Sequence, residues 1–265
     1  MNFKIIFVIL IISITLLFPL RNTFASLTEP ILITSSSSMD QVIFDGKWTA
    51  SEWKPSSFNN FLYDDGTRII LRSAHQDSFM YFFVDAPNDF TLNKGMDKAT
   101  ICIDGENNKN KIPDDNDFCF SATLGNKQGV VFQGGSINGI TGNFEKISNP
   151  ENFIGISSIS DENDRYSKIP HPSYEFKIPI ELLERSDNYG FYVSVYDANL
   201  DKFYSWPINS TRENSSDIPP PSKWGDIISP DKSLPELNFP LIVLMISILT
   251  IIFVQSKAQI LIKRF

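Results

Sequence analysis

The densest group of oxygen ligands in the chain lies at residues 104–117, which read DGENNKNKIPDDND. Calcium prefers six to eight oxygen ligands, and carboxylates and side-chain amides supply them. The stretch therefore contains a candidate calcium site, with ligands from Asp104, Glu106, Asn108, Asp114, Asp115 and Asp117. A solvated turn is the alternative that the pattern favours, because the spacing departs from the EF-hand pattern and Lys109 and Lys111 lie within the stretch.

The two cysteines, Cys102 and Cys119, lie on strand-like runs at residues 99–104 and 117–123, on either side of this polar stretch. A disulfide between the two runs is geometrically reasonable and would survive in an exported protein. Closing a loop of this length stabilises a fold by about 3 kcal/mol in the chain-entropy model. Two buried free thiols are the alternative. A redox centre is disfavoured because the cysteines lack Cys-x-x-Cys spacing.

Catalytic chemistry finds little support in the sequence. The only histidines are His75, in a predicted hairpin turn, and His171, between two prolines, and we expect both to be exposed. Neither lies in a pattern typical of a nucleophilic triad, a histidine-rich metal site or a phosphate loop. A glycosidase-like pair among the 31 acidic residues is the remaining catalytic option. The sequence therefore predicts a protein that is not an enzyme, with calcium as its only candidate cofactor.

Both ends of the 265-residue chain are too apolar for a soluble fold. Residues 1–25 combine Lys4, an apolar run and small residues near position 25, which is typical of a cleaved signal peptide; an uncleaved anchor is the alternative. Residues 239–256 predict one transmembrane helix. The short tail at 257–265 carries basic residues, which stay on the cytoplasmic side, so the preceding domain would lie outside the cell.

The exported part is strongly acidic. Between residues 26 and 238 there are 18 basic and 31 acidic side chains, which gives a net charge of −13. This balance repels phosphate backbones and excludes nucleic acid as a favoured partner. Asn209 and Asn214 lie in two glycosylation sequons, which indicate an exposed stretch.

The middle of the chain predicts an all-β fold. Short runs of β-branched and aromatic residues alternate with turn residues, which is typical of an antiparallel β-sandwich of the jelly-roll or immunoglobulin type. We assign this sandwich to residues 41–228, after a Ser-rich leader at 26–40 and before a Pro-containing stalk at 229–238. Short helices are predicted near Thr49 and near Pro179, and residues 134–170 are predicted to be mostly loops.

Several motifs resemble, in order, those of the family 9 carbohydrate-binding modules and their DOMON-like relatives. They are FDGKWTASEW at 44–53, YEFKIP at 174–179, SWP at 205–207 and KWG at 223–225. The resemblance covers roughly residues 41–227 and implies a β-sandwich that binds sugar without hydrolysing it. The rings considered for sugar stacking are Trp48, Trp224, Tyr63 and Tyr189, with burial in the core as the preferred alternative for the tryptophans. Separately, residues 234–238 resemble the archaeal sorting signals that begin Pro-Glu-Phe, with Leu237 and Asn238 in place of Phe and Gly.

These observations predict a membrane-anchored, extracellular, non-catalytic module that recognises glycan at the cell surface. A structural or protein-interaction component of the cell envelope is the alternative. A haem-binding domain, with ligands among Met39, Met80, Met96 and His75, is a minor alternative. Exposed, roughly coplanar rings would favour the glycan-binding hypothesis, and rings that are all buried would favour the protein-interaction hypothesis.

Overall fold

The computed structural model describes residues 29–136, 144–183, 186–208, 210 and 218–229. The predicted signal peptide, transmembrane helix and cytoplasmic tail, both sequon asparagines and almost all of the stalk lie outside these residues. Within the described ranges, no helix is long and apolar enough to span a bilayer.

Fourteen strands in the described residues form two sheets, in agreement with the predicted β-sandwich. The strands are β1 (Ile31–Leu32), β2 (Thr34–Ser35), β3 (Ser57–Leu62), β4 (Arg68–Gln76), β5 (Phe79–Asp85), β6 (Lys98–Asp104), β7 (Asp117–Thr123), β8 (Val130–Gln133), β9 (Glu145–Ile147), β10 (Ile154–Ile159), β11 (Pro172–Pro179), β12 (Asn188–Asp197), β13 (Lys202–Trp206) and β14 (Gly225–Ile228). Helix is limited to α1 (Ala50–Trp53) and three 3-10 turns at Met39–Gln41, Ile180–Leu182 and Pro221–Lys223.

The first sheet has the order β1-β14-β12-β6-β7-β8-β9, with β13 also paired to β12. The second sheet has the order β10-β11-β5-β4-β2, with β3 beside β4 at the same edge as β2. The strand pairs are antiparallel except for β1 with β14 and β2 with β4. Part of the predicted leader thus contributes an edge strand to each sheet.

One large core lies between the two sheets. Phe191, Val193 and Val195 of β12 point into it, because alternate residues of a strand face opposite sides of a sheet. The rings of Phe191 and Phe82 stack across the core with centroids 5.5 Å apart. The alternation of residues in the sequence of β12 therefore predicts correctly which side chains face the core.

Each sheet also carries an apolar cluster on its outer face. On the second sheet, Trp48 and Trp53 pack with Phe83 of β5 beneath the segment that contains α1. On the first sheet, the disulfide between Cys102 and Cys119 lies with Tyr192, Trp224 and Phe144. This disulfide joins directly opposite residues of β6 and β7, as predicted.

The described residues of 134–170 are mostly loops, as predicted, but they also contain β9 and the six-residue strand β10, which pairs with β11 along its full length. One expectation from the sequence is wrong. Both histidines, expected to be exposed, are buried: His75 lies within β4 rather than in the hairpin turn, and His171 is fully enclosed. The turn itself is at Asp77, whose φ of 52° is left-handed.

Candidate functional site

The motif residues at 44–53 bind to the second sheet through one buried carboxyl group, that of Glu175 on β11. The Gly46 N–H donates to Oε2 of Glu175 at 2.7 Å, and Nε1 of Trp53 donates to Oε1 at 2.8 Å. Ser173 donates from Oγ to the carbonyl oxygen of Gly46 at 2.6 Å. Burial raises the pKa of Glu175 to about 8. These motif residues therefore hold the N-terminal segment on the sheet.

The four rings considered for sugar stacking do not share a surface. Trp48 lies in the outer cluster of the second sheet and Trp224 in that of the first sheet, whereas Tyr189 and the half-buried Tyr63 pack with the central core. Nε1 of Trp224 donates to the Pro219 carbonyl oxygen at 2.9 Å. All four tryptophans, including Trp53 and Trp206, are buried. The tryptophan faces are therefore engaged by the protein itself.

A different ring, that of Phe58, faces solvent on the outer face of the second sheet. Phe58 is 50% exposed, and its ring is nearly parallel to that of Tyr166, with 10° between the planes and 6.1 Å between the centroids. Trp48 packs edge-on against Tyr166 at 5.2 Å. We call Phe58 and Tyr166 the ring pair. Trp48, one of the four rings considered from the sequence, thus packs against one member of the ring pair.

Arg72 connects the rings of this surface. Its guanidinium carbon lies 4.7 Å from the Phe58 ring centroid and 5.3 Å from that of Trp48. Nε donates to the Tyr166 hydroxyl oxygen at 2.8 Å, and Nη1 donates to the Ser56 carbonyl oxygen at 3.0 Å. The fixed fork of an arginine therefore sets the positions of both members of the ring pair.

The ring pair was not among the residues considered from the sequence, and the local pattern does not reveal it. Residues 57–62 read SFNNFL, in which Phe58, Asn60 and Leu62 are exposed and Phe61 is buried. The apolar residues Phe58, Phe61 and Leu62 fall on both faces of the strand, so the sequence lacks the alternation of polar and apolar residues that identifies one solvent face. Tyr166 could not be found from the sequence either, because it reaches the sheet from the connection between β10 and β11.

The carboxylates at residues 104–117 mainly accept hydrogen bonds from their own loop. Asp104 accepts from the backbone N–H groups of Asn108 and Lys109, and Asp114 accepts from the side-chain amides of Asn108 and Asn110. The Lys109 ammonium forms an ion pair with Asp226 at 3.0 Å. Glu106, Asn108 and Asp115 are exposed. Asp104 and Asp117 face each other on β6 and β7, where burial and the charges of Asp104 and Asp114 raise the pKa of Asp117 to about 8.

A tighter carboxylate group is formed by Asp89, Asp97 and Asp197. One oxygen from each lies within 4.8 Å of the others, and all three residues are buried. Asp97 accepts from the N–H groups of Asn93 and Ala198 at 2.6 and 3.0 Å. Burial raises the pKa of Asp89 to about 6, and the charges of Asp197 and Asp97 add to the shift.

Three buried oxygen atoms of this region have no hydrogen-bond partner among the described residues. They are Oδ2 of Asp89, Oδ1 of Asn93 and the hydroxyl oxygen of Tyr174. The pKa of the Tyr174 hydroxyl is raised well above its usual value by burial and by the charges of these same aspartates. Oxygen donors alone suit a hard divalent cation such as calcium.

A second buried group contains a histidine. Nε2 of His171 lies 2.8 Å from Oδ1 of Asp85 and 4.0 Å from Oδ2 of Asp164. Burial raises the pKa of Asp85 to about 6, although the bond from His171 opposes the shift. An imidazole with two carboxylates is a donor set suited to transition metals.

The residues considered for haem do not form a site among the described residues. Met39 lies in the outer cluster of the second sheet, Met80 in the central core, and Met96 is exposed. Nε2 of His75 lies 2.7 Å from Oγ of Ser229. The cavity that His75 and Met80 line measures about 10 Å³, which is room for about one water molecule.

Comparisons with protein-family models and with curated proteins gave no match. Among solved structures, the chain is similar to a family 9 carbohydrate-binding module from Caldicellulosiruptor kristjanssonii in complex with cellotriose, at 14% identity and a TM-score of 0.48, over 76% of this chain and 93% of that one. It is also similar to such a module in complex with glucose, at 14% identity and a TM-score of 0.49, over 76% of this chain and 95% of that one. The likeness is to the family that the sequence motifs resemble.

Proposed function

We propose that the chain is a non-catalytic carbohydrate-binding module and that Phe58 is its stacking ring. The observation that carries the proposal is the ring pair itself: a half-exposed phenylalanine ring, stacked nearly parallel to a tyrosine ring and held by a buried arginine. Aromatic side chains supply a flat apolar face, which the C–H groups of a sugar ring cover on binding. The ordered sequence motifs at residues 44–53, 174–179, 205–207 and 223–225 support the same function.

Polar groups beside the ring pair would hold the sugar hydroxyls. Asn60 follows Phe58 on the same face of β3 and is exposed, so that its amide can both donate and accept hydrogen bonds. Lys47 directly precedes Trp48 in sequence, and its Nζ forms an ion pair with Oδ2 of Asp161 at 3.0 Å. A strand edge with one apolar ring and one adjacent amide combines the two interactions that sugar recognition needs.

The test uses the purified full chain on a glycan array, followed by pull-down with insoluble polysaccharide. Phe58→Ala is expected to weaken binding by at least about tenfold, which corresponds to ~1.4 kcal/mol. Phe90→Ala is the matched control, because Phe90 is 52% exposed and lies in the loop between β5 and β6 rather than on β3. Both variants should melt at the wild-type temperature.

Two results would contradict the proposal in different ways. Loss of binding in Phe90→Ala with none in Phe58→Ala would place the sugar site elsewhere on the module. No binding of any glycan by the wild-type chain would contradict the function itself and favour the protein-interaction alternative.

We further propose that the module is exported and held at the membrane by residues 239–256, with its C-terminus in the cytoplasm. The support is the uncharged apolar stretch with basic residues on its far side. The disulfide between Cys102 and Cys119 is consistent with an oxidising compartment.

Calcium is proposed to bind at Asp89, Asp97 and Asp197. The support is the set of buried, partnerless oxygens at this point, which a cation would satisfy. Such an ion would fix the loop between β5 and β6 to the end of β12.

A further inference from the structure

Asp85, Asp164 and His171 form a fully buried group on the outer face of the second sheet. Asp85 ends β5, His171 directly precedes β11, and Asp164 lies in the connection between β10 and β11. The three side chains are at most 1% exposed. Two segments, the end of β5 and the connection between β10 and β11, therefore bring one imidazole and two carboxylates to a single point.

The other ring nitrogen of His171 defines the tautomer. Nδ1 lies 2.7 Å from the carbonyl oxygen of Ile169 and 2.8 Å from Oγ of Ser160. A carbonyl oxygen can only accept a hydrogen bond, so Nδ1 carries a hydrogen. Nε2 then directs a lone pair at Oδ1 of Asp85, 2.8 Å away, and two acceptors at this distance repel each other. Either a proton lies between them, or a metal ion binds both atoms from one side.

A proton leaves the group incompletely neutralised. Two carboxylates, one imidazole and one shared proton have a net charge of −1 in a site without solvent. Oδ2 of Asp85 and Oδ2 of Asp164 have no hydrogen-bond partner among the described residues. The other oxygen of Asp164 accepts from the N–H groups of Tyr166 and Ser167, which directs Oδ2 toward the histidine. A buried charge without compensation is costly.

We propose that Asp85, Asp164 and His171 bind one divalent transition-metal ion, with Zn²⁺ as the reference. The two positive charges of the ion make the group neutral, and Oδ2 of Asp85 and Oδ2 of Asp164 become its ligands. An imidazole donor suits zinc, copper, iron or nickel rather than calcium or magnesium. The bond from Nδ1–H to a backbone carbonyl is the arrangement that orients metal-binding histidines.

Arg72, on the same face, does not replace the ion. Arg72 donates to the hydroxyl oxygen of Tyr166 and to the carbonyl oxygen of Ser56. The ion would tie the connection between β10 and β11 to β5. Because Tyr166 follows Asp164 by two residues, the ion would also order one member of the ring pair.

The test titrates Co²⁺ into the full chain after removal of metal with a chelator at mildly acidic pH, where protonation of histidine releases bound ions. Millimolar Ca²⁺ is kept present to occupy oxygen-only sites. The wild-type chain is expected to take up one equivalent of Co²⁺, seen as a visible absorption band that Zn²⁺ abolishes. Elemental analysis of the dialysed protein gives the stoichiometry independently.

Matched variants assign the site. Asp164→Asn is expected to weaken Co²⁺ binding by at least about tenfold, in the range found when metal-site residues are changed. Asp161→Asn, in the same connection but with a partly exposed side chain paired to Lys47, should bind like the wild type. Asp197→Asn, in the other carboxylate group, should also retain one equivalent.

Absence of a saturable Co²⁺ band in the wild-type chain, with no zinc retained, would overturn the proposal and leave a shared proton at Nε2. Equal binding by the wild type and Asp164→Asn would overturn it as well. If Asp164→Asn does not fold, the wild-type stoichiometry and its loss on acidification decide the question alone.

Discussion

Glu175 explains why two distant motifs of this chain occur together. Its carboxyl group accepts hydrogen bonds from Gly46 and Trp53, which lie 129 and 122 residues away in sequence. A tight turn presents the N–H of Gly46, and α1 presents the indole of Trp53. The motifs at 44–53 and 174–179 are thus two halves of one structural contact, which says how the fold is closed rather than which ligand it binds.

The first prediction concerns the pH dependence of stability. Burial raises the pKa of Glu175 from 4.5 to about 8. A group with a raised pKa contributes its stabilisation fully below the unfolded-state value and loses it as the pH rises through the folded-state value. We therefore expect the free energy of unfolding, measured with urea, to fall between about pH 5 and pH 8.

Glu175→Gln should make this fall smaller. Burial also raises the pKa of Asp117 to about 8 and the pKa values of Asp85 and Asp89 to about 6, so these three groups contribute to the fall that remains. At pH 5 the variant should lose about 1–3 kcal/mol, because the new NH₂ group faces one of the two N–H donors. Glu145→Gln, at an exposed position of β9, is the control. An unchanged pH slope in Glu175→Gln would show that this carboxyl group does not titrate as described.

The second prediction separates backbone strain from steric overlap at Gly46. Its φ of +79° is left-handed, and an added Cβ would lie 2.5 Å from the backbone nitrogen of Ser158. Gly66 has a similar φ of +83°, but an added Cβ meets nothing within 4 Å. Gly66→Ala should therefore cost only the conformational penalty, about 1–2 kcal/mol.

Gly46→Ala should cost clearly more than Gly66→Ala, because the turn must also move away from β10. If the dependence of the unfolding free energy on urea concentration is the same in both variants, the difference between their urea midpoints measures the cost of the steric overlap. Equal midpoints for the two variants would mean that the contact between Gly46 and β10 is looser than the structure describes.

At the scale of elements, strands with strong alternation could be predicted and those that depend on a partner could not. Phe191, Val193 and Val195 identify β12 by themselves. The strand β10 reads IGISSI, in which one glycine and two serines lower the β-propensity. It forms because it pairs with β11 and because Gly155 allows Gly129 to approach, with the N–H of Gly129 donating to the Gly155 carbonyl oxygen at 2.6 Å.

The contacts between buried polar groups could not be predicted from the sequence either. His171 was expected to be exposed because prolines flank it, but its partner Asp85 lies 86 residues earlier. Asp97 and Asp197 meet because Lys98 on β6 pairs with Tyr196 on β12. Such meetings depend on strand register, and register is set by the packed sheet rather than by local sequence.

The third prediction concerns calcium and the loop between β5 and β6. Calcium at 100 times its dissociation constant stabilises a protein by about 2.7 kcal/mol. For a domain of this size, that corresponds to a rise in melting temperature of roughly 5–10 °C. We expect this rise in millimolar calcium and its reversal by EDTA. The effect should weaken below about pH 6, where Asp89 takes up a proton, because the pKa of that group is raised to about 6 by burial.

Two variants distinguish the candidate calcium sites. Asp197→Asn should abolish the rise in melting temperature, whereas Asp114→Asn, within residues 104–117, should leave it intact. The opposite pattern would assign calcium to the loop at residues 104–117. No rise in the wild-type chain would exclude calcium from both.

For the whole molecule, the sequence predicts the fold and the cellular location from different kinds of evidence. The sandwich follows from alternation and turn residues, and the described residues bear it out. The predicted membrane location follows from the apolar ends of the chain, which lie outside the described residues. The sixteen uncharged residues at 239–254 cover only about 24 Å of a hydrocarbon core of about 30 Å, so the following polar residues and Lys257 would have to complete the span.

A helix of such marginal length should be sensitive to a single charge, and this is the fourth prediction. A lysine near the centre of a transmembrane helix costs about 2.5–3.5 kcal/mol of insertion free energy. Ile246→Lys should therefore shift the chain from the carbonate-resistant membrane fraction to the soluble fraction. Asn238→Lys, at the outer boundary, adds the same charge where it can reach water and should leave the chain in the membrane. Recovery of wild-type protein in the soluble fraction, or retention of Ile246→Lys in the membrane, would contradict the anchor. The intact mass of the membrane-bound protein would show whether the tail that follows Leu237 is kept or removed.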